Sequence, residues 1–160
     1  METETMTDAQ RVAADHAGTL AAFGEWIDAF GDGASRDDVD LAGSRAGWRV
    51  SRDDDEGIYG MARECLAWFD DTGADGLSWS AFMDGALDVE ISGRFDGRDG
   101  WEITGVALLV TCGGPNVRYH VHGSGTIRVS VTWWNDHADR VIDSGLADYL
   151  DQYANEVVAS

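Results

Sequence analysis

From Ile103 to Trp134 the chain carries no carboxylate, only Arg118 and Arg128, although Asp and Glu make up thirty of its 160 residues. A buried sheet excludes charge, and the local pattern has the period of one. Residues 101–111 (WEITGVALLVT) end in a run that is apolar on both faces, as a central strand requires. CGGPN then turns the chain, with Pro115 fixing φ and the glycines free to take positive φ. Residues 116–122 and 126–134 alternate apolar with polar, and the Gly123-Ser124-Gly125 between them suits a tight hairpin.

A three-residue loop pairs His122 with Thr126, Val121 with Ile127, His120 with Arg128 and Arg118 with Ser130. One face of the hairpin then carries Val117, Tyr119, Val121, Ile127, Val129, Val131 and Trp133. The other carries Arg118, His120, His122, Arg128, Thr132 and Trp134, and is polar, mildly basic and aromatic. Upstream, residues 86–95 (ALDVEISGRF) alternate in the same way and DGRDG turns them into the next strand.

The flanks read differently. Val12, His16, Leu20, Phe23, Ile27 and Phe30 recur at helical spacing over 8–31, behind Thr7 as N-cap, and GDGAS stops the helix. Residues 33–53 are polar and Gly-containing, a loop with at most a short helix, anchored by Val39, Leu41 and Trp48. A second helix over about 54–71 starts behind acidic residues that suit its dipole and buries Ile58, Ala62, Cys65, Leu66 and Phe69. A closing helix over about 143–157 buries Leu146, Tyr149, Leu150, Tyr153 and Val157. The expected architecture is α+β: two N-terminal helices, a four-stranded antiparallel meander and a C-terminal helix packed on the sheet. Residues 1–160 read as a single domain, with a helical acidic part at 1–77 and the sheet plus closing helix at 78–160.

A compact chain of this length buries roughly 70% of the surface it exposes when unfolded. With 44% hydrophobic residues and seven Trp it has the material for a core despite a net charge of −19. No apolar run is long enough to span a bilayer, and METETMTDAQ is acidic where a secretory signal is basic and then apolar, so the expected location is cytoplasmic, with no membrane partner. Cys65 and Cys112 are too few for a disulfide framework.

Neither a cofactor nor a catalytic residue is expected. His120 and His122 point the same way from one strand, but a metal site needs a third ligand, which His137 or an Asp could supply although nothing in the spacing demands it, and Arg118 and Arg128 beside them repel a cation. Gly-Ser-Gly lacks the Lys and helix of a phosphate loop, and there is no nucleophile elbow. A nucleic-acid ligand is unfavourable at this net charge.

The charge itself is unusual. All eleven basic residues are Arg, and the acids are 22 Asp and eight Glu, concentrated towards the N-terminus. Such a surface suits adaptation to molar salt, or a protein whose carboxylates stand where a basic partner expects phosphates.

GGPN (Gly113 to Asn116) followed by Trp133-Trp134 and a helix of the Asp-Tyr-Leu-Asp type resembles a group of small proteins encoded by bacteriophages and mobile elements, over roughly residues 86–157. The resemblance implies an anti-defence role, that of an anti-CRISPR protein. Small acidic phage proteins of this kind act by mimicking DNA or by gluing to a protein surface, and the charge here favours a non-enzymatic DNA mimic that occupies the basic nucleic-acid-binding surface of a CRISPR effector or restriction enzyme in the host cytoplasm. The candidate mimic surface is Asp37, Asp38, Asp40, Asp53, Asp54, Asp55, Glu56, Asp70, Asp71 and Asp75. The sheet face with Arg118, His120, Arg128 and Trp134 is a second candidate binding surface, or a seam between two copies of the chain. The alternative is an acidic cytoplasmic domain of a salt-adapted organism, with no mimicry.

Overall fold

The computed structural model describes residues 6–47, 57–98, 100–112 and 114–159. In chain order the elements are α1 (Asp8–Phe30), α2 (Arg36–Gly47), α3 (Ile58–Thr72), α4 (Trp79–Met83), β1 (Asp88–Asp96), β2 (Gly100–Thr111), β3 (Asn116–Val121), β4 (Thr126–Trp133), β5 (Asp136–Asp143) and α5 (Gly145–Ala159). The class is α+β, with an antiparallel sheet and a C-terminal helix. Among the described residues five strands replace the expected four, and four helices precede the sheet instead of two. Two compact units result: Ala22–Asp84 is helical, while Met1–Ala21 with Gly85–Ser160 holds the sheet. No described helix is long and apolar enough to cross a membrane.

In the sheet unit the strands lie in the order β1-β2-β3-β4-β5, each antiparallel to its neighbour. The β3/β4 register is the expected one: Val121 faces Ile127, His120 faces Arg128 and Arg118 faces Ser130. Gly123 and Gly125 both take positive φ in the connecting loop, the freedom the hairpin asks of them. Val106, Leu108, Val117, Tyr119, Ile127, Val129 and Val131 are buried on one face, and α5 runs close to β2, β3 and β4 with Leu146, Ala147, Leu150 and Ala154 buried. Val157, expected inside, is exposed one turn beyond that face.

β5 went unread because DHADRVID has the composition of a loop. As an edge strand it is solvated on one face, and its charges also blunt the open edge against unwanted pairing. Its insertion ends β4 at Trp133 and moves Trp134 off the strand.

The first turn of α1 is closed by a capping box: Thr7 Oγ1 accepts from Gln10 N–H, and Gln10 Oε1 accepts from Thr7 N–H. Its buried line is Ala9, Ala13, Ala17, Leu20 and Phe23, one step round from the Val12–His16 line expected from the larger side chains. Asp136 Oδ2 accepts from Ala9 N–H at 3.2 Å, placing a carboxylate at the positive end of the helix.

The helical unit is built round Phe23, whose ring lies 4.8 to 5.8 Å from those of Trp26, Trp68, Trp79 and Phe82. Val39, Ala62, Cys65, Phe69 and Leu77 complete the core, and burial pushes the Cys65 thiol up to about 11, leaving it an inert apolar group. Residues 36–47, expected to be mostly loop, form a three-turn helix. Ser35 and Asp38 cap one another's backbone N–H groups, and Gly43 lets α2 meet α3, since a Cβ there would sit 2.6 Å from that of Ala62. With only Val39 needing burial, a polar sequence suffices for the helix. Leu41, expected as an anchor, faces solvent, and Trp48 lies outside the described residues. The α1–α2 and α3–α4 loops are joined by the Ala34–Leu77 bridge, with two backbone hydrogen bonds of 2.8 Å.

Candidate functional site

Of the ten acidic candidates, Asp53, Asp54, Asp55 and Glu56 lie outside the described residues. The other six are all exposed in the helical unit. Asp37, Asp38 and Asp40 project from α2, where the first two favour the helix N-terminus. Asp70 and Asp71 close α3, and Asp75 follows in the loop. Arg36 brings the two groups together: its Nε donates to Asp70 Oδ1 at 2.9 Å. This bond, with the charges of Asp70, Asp40 and Asp37, raises the guanidinium above its ordinary range. One cation thus sits among several carboxylates, and the surface stays strongly negative.

Asp70 and Asp71 stand where they oppose the helix dipole. The last turn of α3 contains no basic residue, so these two carboxylates meet the negative end of the helix unrelieved from within it. Asp70 is compensated from outside the helix by Arg36, whereas no ion pair of Asp71 is seen among the described residues.

On the open face of the sheet, Arg118, His120 and Arg128 come together as the register requires, with Glu90 on β1 and Asp139 on β5 at its margins. Arg118 Nη1 donates to Glu90 Oε2 at 2.9 Å, reaching across β2 at the small side chain of Ala107. Ser130 Oγ donates to Asp139 Oδ1 at 2.7 Å, and His137 Nε2 lies 3.0 Å from the same oxygen. The Ser130 hydrogen bond is the first cause holding the Asp139 carboxyl below its usual range, against partial desolvation. Desolvation, then the charges of Arg128 and Arg118, lowers His120. Arg128 Nε is buried without a hydrogen-bond partner among the described residues.

Trp134 does not belong to this face. It occupies the first position of the two-residue turn between β4 and β5, with φ +57°, and is 90% exposed. The sequence pattern extended β4 by one residue and so assigned Trp134 a face it lacks. His120 lies on this face while His122 falls just beyond the end of β3, His137 is engaged with Asp139 and Thr132, and no three ligating side chains among the described residues form a metal cluster.

Sequence reasoning missed two other groupings. The first is a hollow of about 480 Å³ lined by Asp8, Trp133, Trp134, Asn135 and Asp136. Its residues are 125 or more apart in sequence on either side, and only the WWND cluster hinted at it. The second is a hydrogen bond between His16 Nδ1 and the hydroxyl of Tyr119, which ties α1 to the centre of β3. Burial raises Tyr119 and lowers His16, against a smaller opposing effect of Asp15, so a neutral hydroxyl and a neutral imidazole share the bond.

The sign of this coupling gives a pH dependence. His16 has a lower pKa folded than the ordinary 6.5, so the unfolded chain binds more protons as pH falls through that value. Stability is therefore full above about pH 6.5 and falls progressively below it towards the folded pKa. His16→Gln, whose amide oxygen can accept from Tyr119, is expected to reduce the fall in Tm between pH 7.5 and 5, leaving the slope due to His120. An unchanged slope would assign the effect elsewhere.

Compared with family models, with curated proteins and with solved structures, the chain finds no match.

Proposed function

We propose that the chain is a non-enzymatic anti-defence inhibitor of the phage type, an anti-CRISPR protein whose acidic helical unit occupies a basic nucleic-acid-binding surface of a CRISPR effector or restriction enzyme. The observation that carries the reading is the placement of Asp70 and Asp71 at the wrong end of α3, beside Asp37, Asp38 and Asp40 of α2. An exposed set of carboxylates held on two packed helices offers a basic channel what a duplex offers, a dense row of fixed negative charge. Its GGPN and Trp-Trp residues, similar to those of phage-encoded proteins, supply the biological setting.

The test is a mobility-shift assay in which the protein competes with target duplex for a panel of guide-loaded CRISPR effectors and restriction enzymes. Inhibition of at least one is expected. It should weaken by about three orders of magnitude or more between 50 and 200 mM salt if six or more phosphate-like contacts are made. Replacing Asp37, Asp38, Asp40, Asp70, Asp71 and Asp75 by Asn should abolish it while the fold is kept, because an asparagine in place of Asp38 can still accept from Ser35 N–H and relieved like-charge repulsion offsets the lost Arg36–Asp70 pair. Inhibition indifferent to both salt and the six substitutions would overturn the mimic mechanism.

The Lys-free composition favours the rival reading, an acidic domain of a salt-adapted organism. That reading requires the fold to fail in about 0.1 M KCl and form in about 2 M, where the Debye length falls from about 10 Å to under 3 Å. A cooperative melt at both concentrations leaves the acidic surface free for a cationic partner.

A further inference from the structure

We propose that the hollow at the β4–β5 turn is a seat for an arginine side chain of a basic partner protein, with the guanidinium stacked on Trp134 and paired to Asp136 and Asp8. The hollow lies wholly within the sheet unit, and the inference does not rest on the carboxylates of the helical unit.

The turn itself makes the first case. Trp133 pairs with Asp136, leaving Trp134 and Asn135 as the two-residue connection. A positive φ at the first turn position is normally given to Gly, Asn or Asp. Among the described residues every other positive φ belongs to a glycine: Gly31, Gly33, Gly57, Gly73, Gly100, Gly123 and Gly125. Trp134 is the exception, and at 90% exposure it returns almost no burial to the fold. A bulky aromatic in a strained, solvated corner serves something outside the chain.

The lining makes the second case. The hollow of about 480 Å³ presents two indoles, an amide and two carboxylates, and no basic side chain. Asp136 lines the hollow and is held in place by Ala9 N–H through Oδ2 at 3.2 Å. Asp8 is paired with Arg11 at 3.1 Å, but both partners are largely exposed, so an incoming cation can replace that contact. Anions are repelled here, and a neutral ligand leaves the carboxylates unused. A guanidinium is flat enough to stack on indole and forked enough to bridge a carboxylate, and its charge matches a chain of net charge −19.

The test uses the full chain, ¹⁵N-labelled, titrated with tri-arginine and with tri-lysine in about 0.5 M KCl, where a Debye length near 4 Å suppresses diffuse attraction. Tri-arginine is expected to shift the Trp134 indole N–H signal saturably and to bind several-fold tighter than tri-lysine. Trp134→Gly should weaken tri-arginine by about fivefold while leaving Tm unchanged or higher, because glycine relieves the φ. Asp136→Asn, which can still accept from Ala9, should also weaken it. The variant with the six helical-unit carboxylates replaced by Asn should bind tri-arginine as before, so failure here and failure of the mimic mechanism are separately visible. A Trp134 signal that tri-arginine does not move, equal response to tri-lysine, or a fall in Tm on Trp134→Gly would each overturn the proposal.

Discussion

Phe23→Ala lowers the stability of the helical unit by about 3–5 kcal/mol, the range for removing a buried aromatic from a packed core. The upper end applies here because the ring is 1% exposed and meets four aromatic neighbours, all too large to collapse into the space it leaves. Each of those contacts adds an edge or tilted geometry beyond simple burial. Fluorescence reads the loss directly, since Trp26, Trp68 and Trp79 all pack on this cluster, while Trp101 and Trp134 are exposed already. The variant is expected to show a red-shifted emission and an earlier fluorescence-detected unfolding transition in urea. An unshifted midpoint would mean that Phe23 does not organise this core.

Val129→Asp and Val141→Asp make the same chemical change on opposite faces of the sheet, and their effects differ widely. Val129 lies in β4 with no exposure, on the face covered by helices, so a carboxylate there is unpaired in an apolar layer and costs more than about 4 kcal/mol. Folding is expected to fail. Val141 lies in β5 opposite Arg128 and is 50% exposed; an aspartate there gains a cationic neighbour, and Tm should change little. Circular dichroism of the two purified variants decides the matter. Because a one-residue slip in register exchanges the two faces, a reversed result would overturn the strand pairing itself.

Proton linkage at His16 and the exposed acidic surface pull stability in different ways. Acidification charges the half-buried His16 imidazole, which destabilises, but it also neutralises carboxylates and so relieves repulsion. The His16 effect comes first on lowering pH, in the window just below 6.5, well above the range in which exposed carboxylates titrate.

The β3/β4 hairpin was legible down to its pairing because alternation, a Gly-rich turn and the absence of carboxylates all agree over residues 116–133. The span of α1 was legible within a residue because its apolar spacing ends at Gly31. For α2 and β5 the sequence offered no such agreement. Each buries very little, Val39 chiefly in the one and a thin apolar line in the other, so a polar composition concealed regular structure. Missing β5 then misplaced Trp134, because whether a residue continues a strand or turns a corner depends on whether a further strand waits to pair.

By itself, then, the sequence determined the α+β class, the chemistry of the two faces of the hairpin and the excess of carboxylates towards the N-terminus. These are properties of local period and composition, which act within a few residues. Only the tertiary structure decided which carboxylates share a surface, since Arg36 and Asp70 meet across 34 positions through the packing of α2 on α3. It alone also set Asp8 beside Asp136 and Trp134, because α1 starts where the last hairpin turns. Contacts between distant residues follow from how faces are buried against each other, and no local pattern encodes that partner choice.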